Sequence, residues 1–374
     1  MDTGNGTYSF TVTSQTVANV TYTLTIGSLA SNDVAVNYHG MVVVGQYNNT
    51  NNTAFVYTTD GTSWQGTGAA SILGNNCFSI VYNGIIWVAG GGDTFTSYTM
   101  AYSTDGVNWN PSTSGNSILT SRCTCVAWNG TIWVACGYGS YQLAYSSDGI
   151  TWTGVDMTSI FEGINSLAWG QGKWVAGGTS TNNSIAYATD VTNISNWTVS
   201  TDSTFTTGFD VMGAWYYGPT VKYSSELDLW VAGNGHHYGI FSCRLAYSED
   251  GISWTASSSG NAILTDYCSS IYWNGNKWLA CGGRQSTNHT GPIAYSTDGM
   301  TWYDSTDGYS VFGTECKAVF WSPSYSLWFC SGNNVPGSGQ DPVFLIGSSE
   351  DGDTWTGITD ADFGTLYSNT FGGT

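Results

Sequence analysis

The stretch Leu143-Ala144-Tyr145-Ser146-Ser147-Asp148-Gly149-Ile150-Thr151-Trp152 recurs with little change along the whole chain. Copies end at Trp64, Trp109, Trp152, Trp197, Trp254, Trp302 and Trp355. Their spacing is roughly 43–57 residues, the period of propeller blades and solenoid units. Self-similarity on that scale fixes the architecture before any site is considered.

Each copy has an upstream partner, such as Cys125-Val126-Ala127-Trp128-Asn129-Gly130-Thr131-Ile132-Trp133-Val134-Ala135-Cys136-Gly137. One unit therefore reads strand, Asn-Gly turn, strand, variable loop, strand, Asp-Gly turn, short strand. Asn-Gly and Asp-Gly supply the positive φ values that tight hairpins need. The strands are aromatic and β-branched, as sheet interiors prefer. Seven such units predict an all-β chain: a seven-bladed β-propeller of four-stranded antiparallel blades, spanning 31–374. Residues 1–30 precede the repeat. Their alternating runs Tyr8–Thr13 and Val20–Ile26 read as two strands that close the ring or contact another copy.

The 18 Trp residues are all absorbed by this pattern. Seven close the Asp-Gly turn. Five sit on first strands (Trp128, Trp169, Trp215, Trp273, Trp321). Six sit on second strands (Trp87, Trp133, Trp174, Trp230, Trp278, Trp328). They are expected to pack blades rather than to act as sugar platforms.

Charge narrows the partners. Lys and Arg number 7 against 26 Asp and Glu, a formal charge of -19. Phosphate contacts need basic side chains, so nucleic acid is not an expected partner. No apolar run approaches the roughly 20 residues of a membrane span, so membrane insertion is not expected. Met1–Gly6 lacks the basic and apolar regions of a signal peptide. Six of the nine Cys recur at equivalent places: Cys77, Cys123, Cys268 and Cys316 before first-strand aromatics, Cys136 and Cys281 on second strands. That pattern suits small buried packers and folding in a reducing compartment.

The turns Ser103-Thr104-Asp105-Gly106-Val107-Asn108-Trp109 and Ser348-Ser349-Glu350-Asp351-Gly352-Asp353-Thr354-Trp355 resemble the Asp-box of sialidase-type (BNR-like) propellers. Asp60, Asp105, Asp148, Asp250, Asp298 and Asp351 hold the acidic position before Gly, and Asp190 holds it without the Gly. Most copies are one residue shorter than the usual box. The resemblance implies a structural turn, with the carboxylate accepting turn N–H groups. Sialidase chemistry would also require three convergent arginines and a Tyr–Glu nucleophile pair. Arg122, Arg244 and Arg284 supply the number, but the first repeat has no Arg and no Tyr–Glu pair can be assigned. The chain is therefore read as non-enzymatic, with no catalytic residues, no metal and no cofactor.

Turns between strands one and two, and three and four, share one face, which is uniform. Blade-to-blade loops and loops between strands two and three share the other face, which varies, and binding usually resides in variable loops on a rigid scaffold. The candidate ligand-binding residues fall there: Tyr98, Arg122, Tyr138, His236, His237, Tyr238, Arg244, Tyr267, Arg284 and His289. The expected role is recognition or structural display, binding a glycan or a surface protein, with assembly of copies or of a virion through the N-terminal segment. An intracellular interaction scaffold and a sialidase-related glycoside hydrolase are the alternatives. The neutral-polar, acidic texture resembles propellers of virion and phage surfaces, which makes a virion or cell surface one location to consider.

Overall fold

In the computed structural model, the described backbone comprises the strands within 7–66, the helix Ala70–Leu73, and 77–92, 98–179, 184–201, 204, 220–234, 243–283, 291–313, 315–323, 326–332 and 346–358. Side chains are described from residue 72 onward. Six four-stranded sheets follow one another along the chain, built on Cys77–Pro111, Arg122–Val155, Gly163–Val199, Thr220–Ala256, Tyr267–Asp304 and Cys316–Ile358. Each is a simple antiparallel meander. They are called blades 2 to 7 here, after the repeats that form them. Thr7–Val12 and Val20–Thr25 pair as a separate antiparallel hairpin.

The expected count of seven blades is corrected to six. The strands of the first repeat, Val36–Tyr38 to Gln65–Gly66, do pair in the same order. However, its side chains lie outside the described residues, and its main recorded neighbour is the first strand of blade 2, through Met41–Gly45. Among the described residues no extensive contact joins it to blade 7, so six blades are counted as packed. The physical reason for the miscount is simple. A repeat of this kind marks a four-stranded sheet, and a sheet is not yet a blade packed between neighbours.

The core lies between blades rather than within them. One apolar layer joins blades 2 and 3 (Val88, Val126, Trp133), and another joins blades 5 and 6 (Val231, Ile271, Trp278). Second strands are buried on both faces, so they read as continuous apolar runs: Trp87–Gly91 and Trp278–Gly283 are buried throughout. A Trp at the start of each second strand fills the layer, and losing such a side chain costs about 3–5 kcal/mol. Most first strands carry a bulge near their start, as between Cys123 and Cys125 and between Cys268 and Ser270. An extra residue there changes which side chains face the neighbour. The thiols of Cys123 and Cys268 consequently nestle against Gly90 and Gly233 of the preceding blade.

The Asp-Gly turns are built alike. In blade 3, Ser146 Oγ accepts from Gly149 N at 2.9 Å, and Asp148 Oδ1 accepts from Ile150 N at 2.8 Å and Thr151 N at 2.7 Å. Gly149 has φ 76°. In blades 2 and 6 the turn Trp donates its indole N–H to the Gly carbonyl, Trp109 at 3.0 Å and Trp302 at 3.2 Å.

Four of these turns also receive a bond from the blade before them. Three residues past the Trp, a buried serine reaches forward. Ser112 donates to Ile150 O at 2.9 Å, Ser200 to Ile252 O at 2.8 Å, Ser257 to Met300 O at 2.7 Å and Ser305 to Asp353 O at 2.6 Å. One seam departs from this. Blade 3 has Val155 at the serine position, and blade 4 has Val191 where its neighbours have the turn Gly. Both are buried in one apolar cluster. Donor and turn have thus changed together at one interface.

Ser257 also caps the helix Ser258–Ile263, accepting from Gly260 N at 3.2 Å. Ser257→Ala removes the cap and leaves the Met300 carbonyl without its donor. A loss of about 1–3 kcal/mol is expected in urea unfolding. Ser257→Val should be no better, because here the turn it faces keeps its Gly.

Candidate functional site

The ends where first strands begin and second strands finish lie side by side. In blade 3 the register pairs Arg122 with Tyr138 across these two ends. The Arg122 guanidinium lies over the Tyr138 ring, 4.1 Å from its centroid, a stacking geometry that planar Arg favours. The Tyr138 hydroxyl then crosses to blade 4, where it donates to Asn165 Oδ1 at 3.1 Å and contacts Thr179 Oγ1 at 3.0 Å. Both Arg122 and Tyr138 are half-buried.

A second cluster occupies the same end between blades 6 and 7. The Tyr267 hydroxyl donates to the Glu315 carboxylate, and Lys317 forms an ion pair with that carboxylate. Lys317 Nζ also donates to the Tyr267 oxygen at 3.0 Å. An isolated bridge between Gly283 and Glu315 holds the two blades together at this point. Arg244, from blade 5, turns toward the same region, and its Nε donates to Asp266 O at 3.2 Å. Tyr98 lies on blade 2, exposed, before the strand Met100–Ser103.

Arg122 and Tyr138, and separately Arg244 and Tyr267 through Asp266, are brought together. The residues His236, His237, Tyr238, Arg284 and His289 lie outside the described residues. Asp60 does too. Sequence reasoning missed the Tyr267–Glu315 pair, whose members lie 48 residues apart on different blades. It also missed a repeated motif. Ser114-Gly115-Asn116-Ser117-Ile118-Leu119 and Ser259-Gly260-Asn261-Ala262-Ile263-Leu264 form helices at equivalent places. Asn116 Oδ1 accepts from Thr99 N and Met100 N, and Asn261 Oδ1 from Arg244 N and Leu245 N. These asparagines fix the start of the third strand, just below Tyr98 and at Arg244 itself. The recurrence of the motif was the available signal.

On the opposite face the turn carboxylates are committed to their own turns. Partial burial raises the Asp105 pKa, but the Asn108 side chain, the N–H groups of Asn108 and Val107, and Ser103 outweigh it and bring it down to about 2. Asp351 is likewise held at about 2, the amides and hydroxyl of its turn overcoming the burial cost. Asp148, Asp250 and Asp298 are lowered in the same way. Asp190, in the turn without Gly, accepts from Thr192 N at 2.9 Å. Among the described residues, no group of three His, Cys, Asp or Glu is placed to hold a metal ion, and no helix is long and apolar enough to cross a membrane.

No protein-family model matches the sequence, and no curated protein matches it. Among solved structures, a GH74 xyloglucanase from Xanthomonas campestris superposes with a TM-score of 0.52 at 10% identity, covering 86% of this chain and 52% of that one. The fold is a β-propeller. The chain spans about half the length of the xyloglucanase, and at this identity the likeness concerns the fold alone. The computationally designed Ika8 protein gives a TM-score of 0.41 at 12% identity, over 71% of this chain and 73% of that one.

The resemblance to seven-bladed sialidase-type Asp-box proteins is therefore corrected as well. The turns share a local hydrogen-bond pattern, but no family model matches and the packed blades number six. Nor is a sialidase catalytic set identified among the described residues: Arg122 is engaged by Tyr138 on blade 3 and Arg244 by the Asp266 carbonyl on blade 6. A hydrogen-bonded turn of this kind is specified by a few local residues, and so it marks a turn rather than a family. The propeller with its uniform and varied faces is consistent with a non-catalytic recognition or structural role.

Proposed function

We propose that the chain is a non-catalytic recognition protein that binds a polar partner, a glycan or a protein surface, through the face where the first strands begin. The observation that carries this reading is the pair of clusters Arg122–Tyr138 and Tyr267–Glu315–Lys317 at one end of the blades, opposite the uniform Asp-Gly turns. Arg122, Lys317 and the half-buried Tyr138 ring there combine donors with aromatic surface, the chemistry that sugar hydroxyls and polar peptide groups use, while the buried Tyr267 holds Glu315 and Lys317 in place from beneath. The Tyr267–Glu315 pair is held closed by Lys317, which supports a binding role rather than a nucleophilic one for the tyrosine.

Arrays of glycans and candidate surface proteins, probed with the intact chain, test this. Saturable binding is expected. Arg122→Ala should weaken it by about tenfold, roughly 1.4 kcal/mol, while leaving the urea midpoint nearly unchanged; Tyr267→Phe, which removes a buried bond to Glu315, should weaken binding and lower the urea midpoint as well. Binding indifferent to both substitutions would move the site elsewhere. Turnover of aryl glycosides that is lost in Tyr267→Phe would overturn the non-catalytic reading.

A further inference from the structure

The seam between blades 6 and 7 gathers three thiols. Cys281 lies on Trp278–Gly283, Cys316 on Cys316–Ser322 and Cys330 on Leu327–Gly332, and all three are buried. Cys330 pairs with Val319, and a bulge between Cys316 and Ala318 lets the Cys316 Sγ reach within 2.6 Å of the Cys330 Sγ. Across the seam, the Ser269 hydroxyl bonds the carbonyls of both Cys281 (3.2 Å) and Cys316 (3.0 Å) and lies 3.8 Å from the Cys281 Sγ.

Equivalent seams are filled differently. Cys123 faces Gly90, and Cys268 faces Gly233. In blade 3 the hydroxyl that corresponds to Ser269, Thr124 Oγ1, bonds the carbonyls of Cys136 and Ile164 at 3.1 and 2.6 Å, so an isoleucine stands where blade 7 has Cys316. Packing alone is satisfied by one thiol against glycine or isoleucine. A thiol from one blade set against two from the next calls for another account.

We propose that Cys281, Cys316 and Cys330 form a buried oxidation site whose product is a Cys316–Cys330 disulfide. Cys281 reacts first. Burial disfavours its thiolate, but the S–H groups of Cys316 and Cys330, the Ser269 hydroxyl and the Lys317 charge favour it more, and its pKa is lowered. Burial raises that of Cys136, Cys316 and Cys330 instead.

With hydrogen peroxide as oxidant, the Cys281 thiolate attacks one oxygen. An S–O bond forms, the O–O bond breaks, and the leaving hydroxide takes up a proton as water. The Cys316 sulfur, giving up its proton, attacks the Cys281 sulfur, so the S–O bond breaks and a second water leaves. Cys330 then attacks the Cys316 sulfur and Cys281 departs as thiolate, the best leaving group of the three. In sum, two thiols lose two electrons and two protons, and one peroxide becomes two waters. A chain folded in reduced form would so acquire a covalent staple in its last blade afterwards.

The test uses the intact folded protein, treated with hydrogen peroxide, quenched with catalase, and alkylated in denaturant before mass mapping. Loss of two of the nine thiols is expected, with one cross-linked species joining Cys316 to Cys330, while Cys125 and Cys136, paired across strands in blade 3, stay free. Cys281→Ser should give the same product at least about tenfold more slowly. Cys330→Ala should stop at a Cys281–Cys316 disulfide. Nine alkylated thiols after treatment, or a cross-link between any other pair in the wild type, would overturn the proposal, and an unchanged rate in Cys281→Ser would remove Cys281 from it. Wild-type mapping decides the product even where a variant fails to fold.

Discussion

Replacing Gly299 with alanine is expected to lower the free energy of unfolding by about 2–5 kcal/mol, measured in urea at neutral pH. Two independent costs meet at this residue. Its φ of 74° lies in the left-handed region, where a side chain costs about 1–2 kcal/mol. A Cβ there would also come within 2.6 Å of Leu229 Cδ2 on the neighbouring blade and 3.1 Å of Trp278 Nε1. Forcing a methyl into that contact adds about 1–3 kcal/mol. Gly275 separates the two terms. Its φ is 97°, yet a Cβ would meet nothing within 4 Å. Gly275→Ala should therefore cost only the backbone part, about 1–2 kcal/mol. Equal losses in the two variants would show that the turn glycine serves its backbone alone and that the close approach of blades is immaterial.

Acid should unfold the protein by way of the same turns. Asp105, Asp148, Asp250, Asp298 and Asp351 all have folded pKa values below the ordinary carboxylate value, Asp105 and Asp351 at about 2. A group whose pKa is lower in the folded state contributes its full stabilisation above the unfolded value of about 3.9. That contribution is lost as the pH falls from there toward 2. A second effect runs the other way: the formal charge of -19 shrinks as carboxylates protonate, which relieves repulsion. Salt distinguishes the two, because repulsion between exposed charges is screened while hydrogen bonds to turn amides are not. In high salt the urea midpoint is expected to fall between about pH 4 and about pH 2, and Asp105→Asn with Asp351→Asn should flatten that slope. A slope unaltered by the double substitution would place the acid sensitivity elsewhere.

What the sequence could show follows from how local each feature is. The Asp-Gly turn, its serine and its Trp lie within eight residues, so their geometry was readable. The second strands were readable for the same reason, since a run such as Trp133-Val134-Ala135-Cys136 is buried on both faces. The packed blade count was not, because it depends on contacts between repeats. Tyr267 and Glu315 escaped notice because the hydrogen bond joins residues on different blades, and nothing near either one signals the other. Arg122 over Tyr138 fell between: both residues stood in the expected set, but only strand register reveals that they stack.

The valine seam has a consequence for how such a chain can change its length. At most described seams the serine donor and the turn carbonyl recur, so a unit copied or cut out there would meet a compatible neighbour on each side. Between blades 3 and 4 the serine donor and the turn Gly are replaced together, by Val155 and Val191. A cut at that point would set Val155 against a turn carbonyl that wants a hydroxyl, and would set Ser112 or Ser257 against the side chain of Val191. Separating blades 3 and 4 would therefore break a matched pair, whereas the seams around them join like parts.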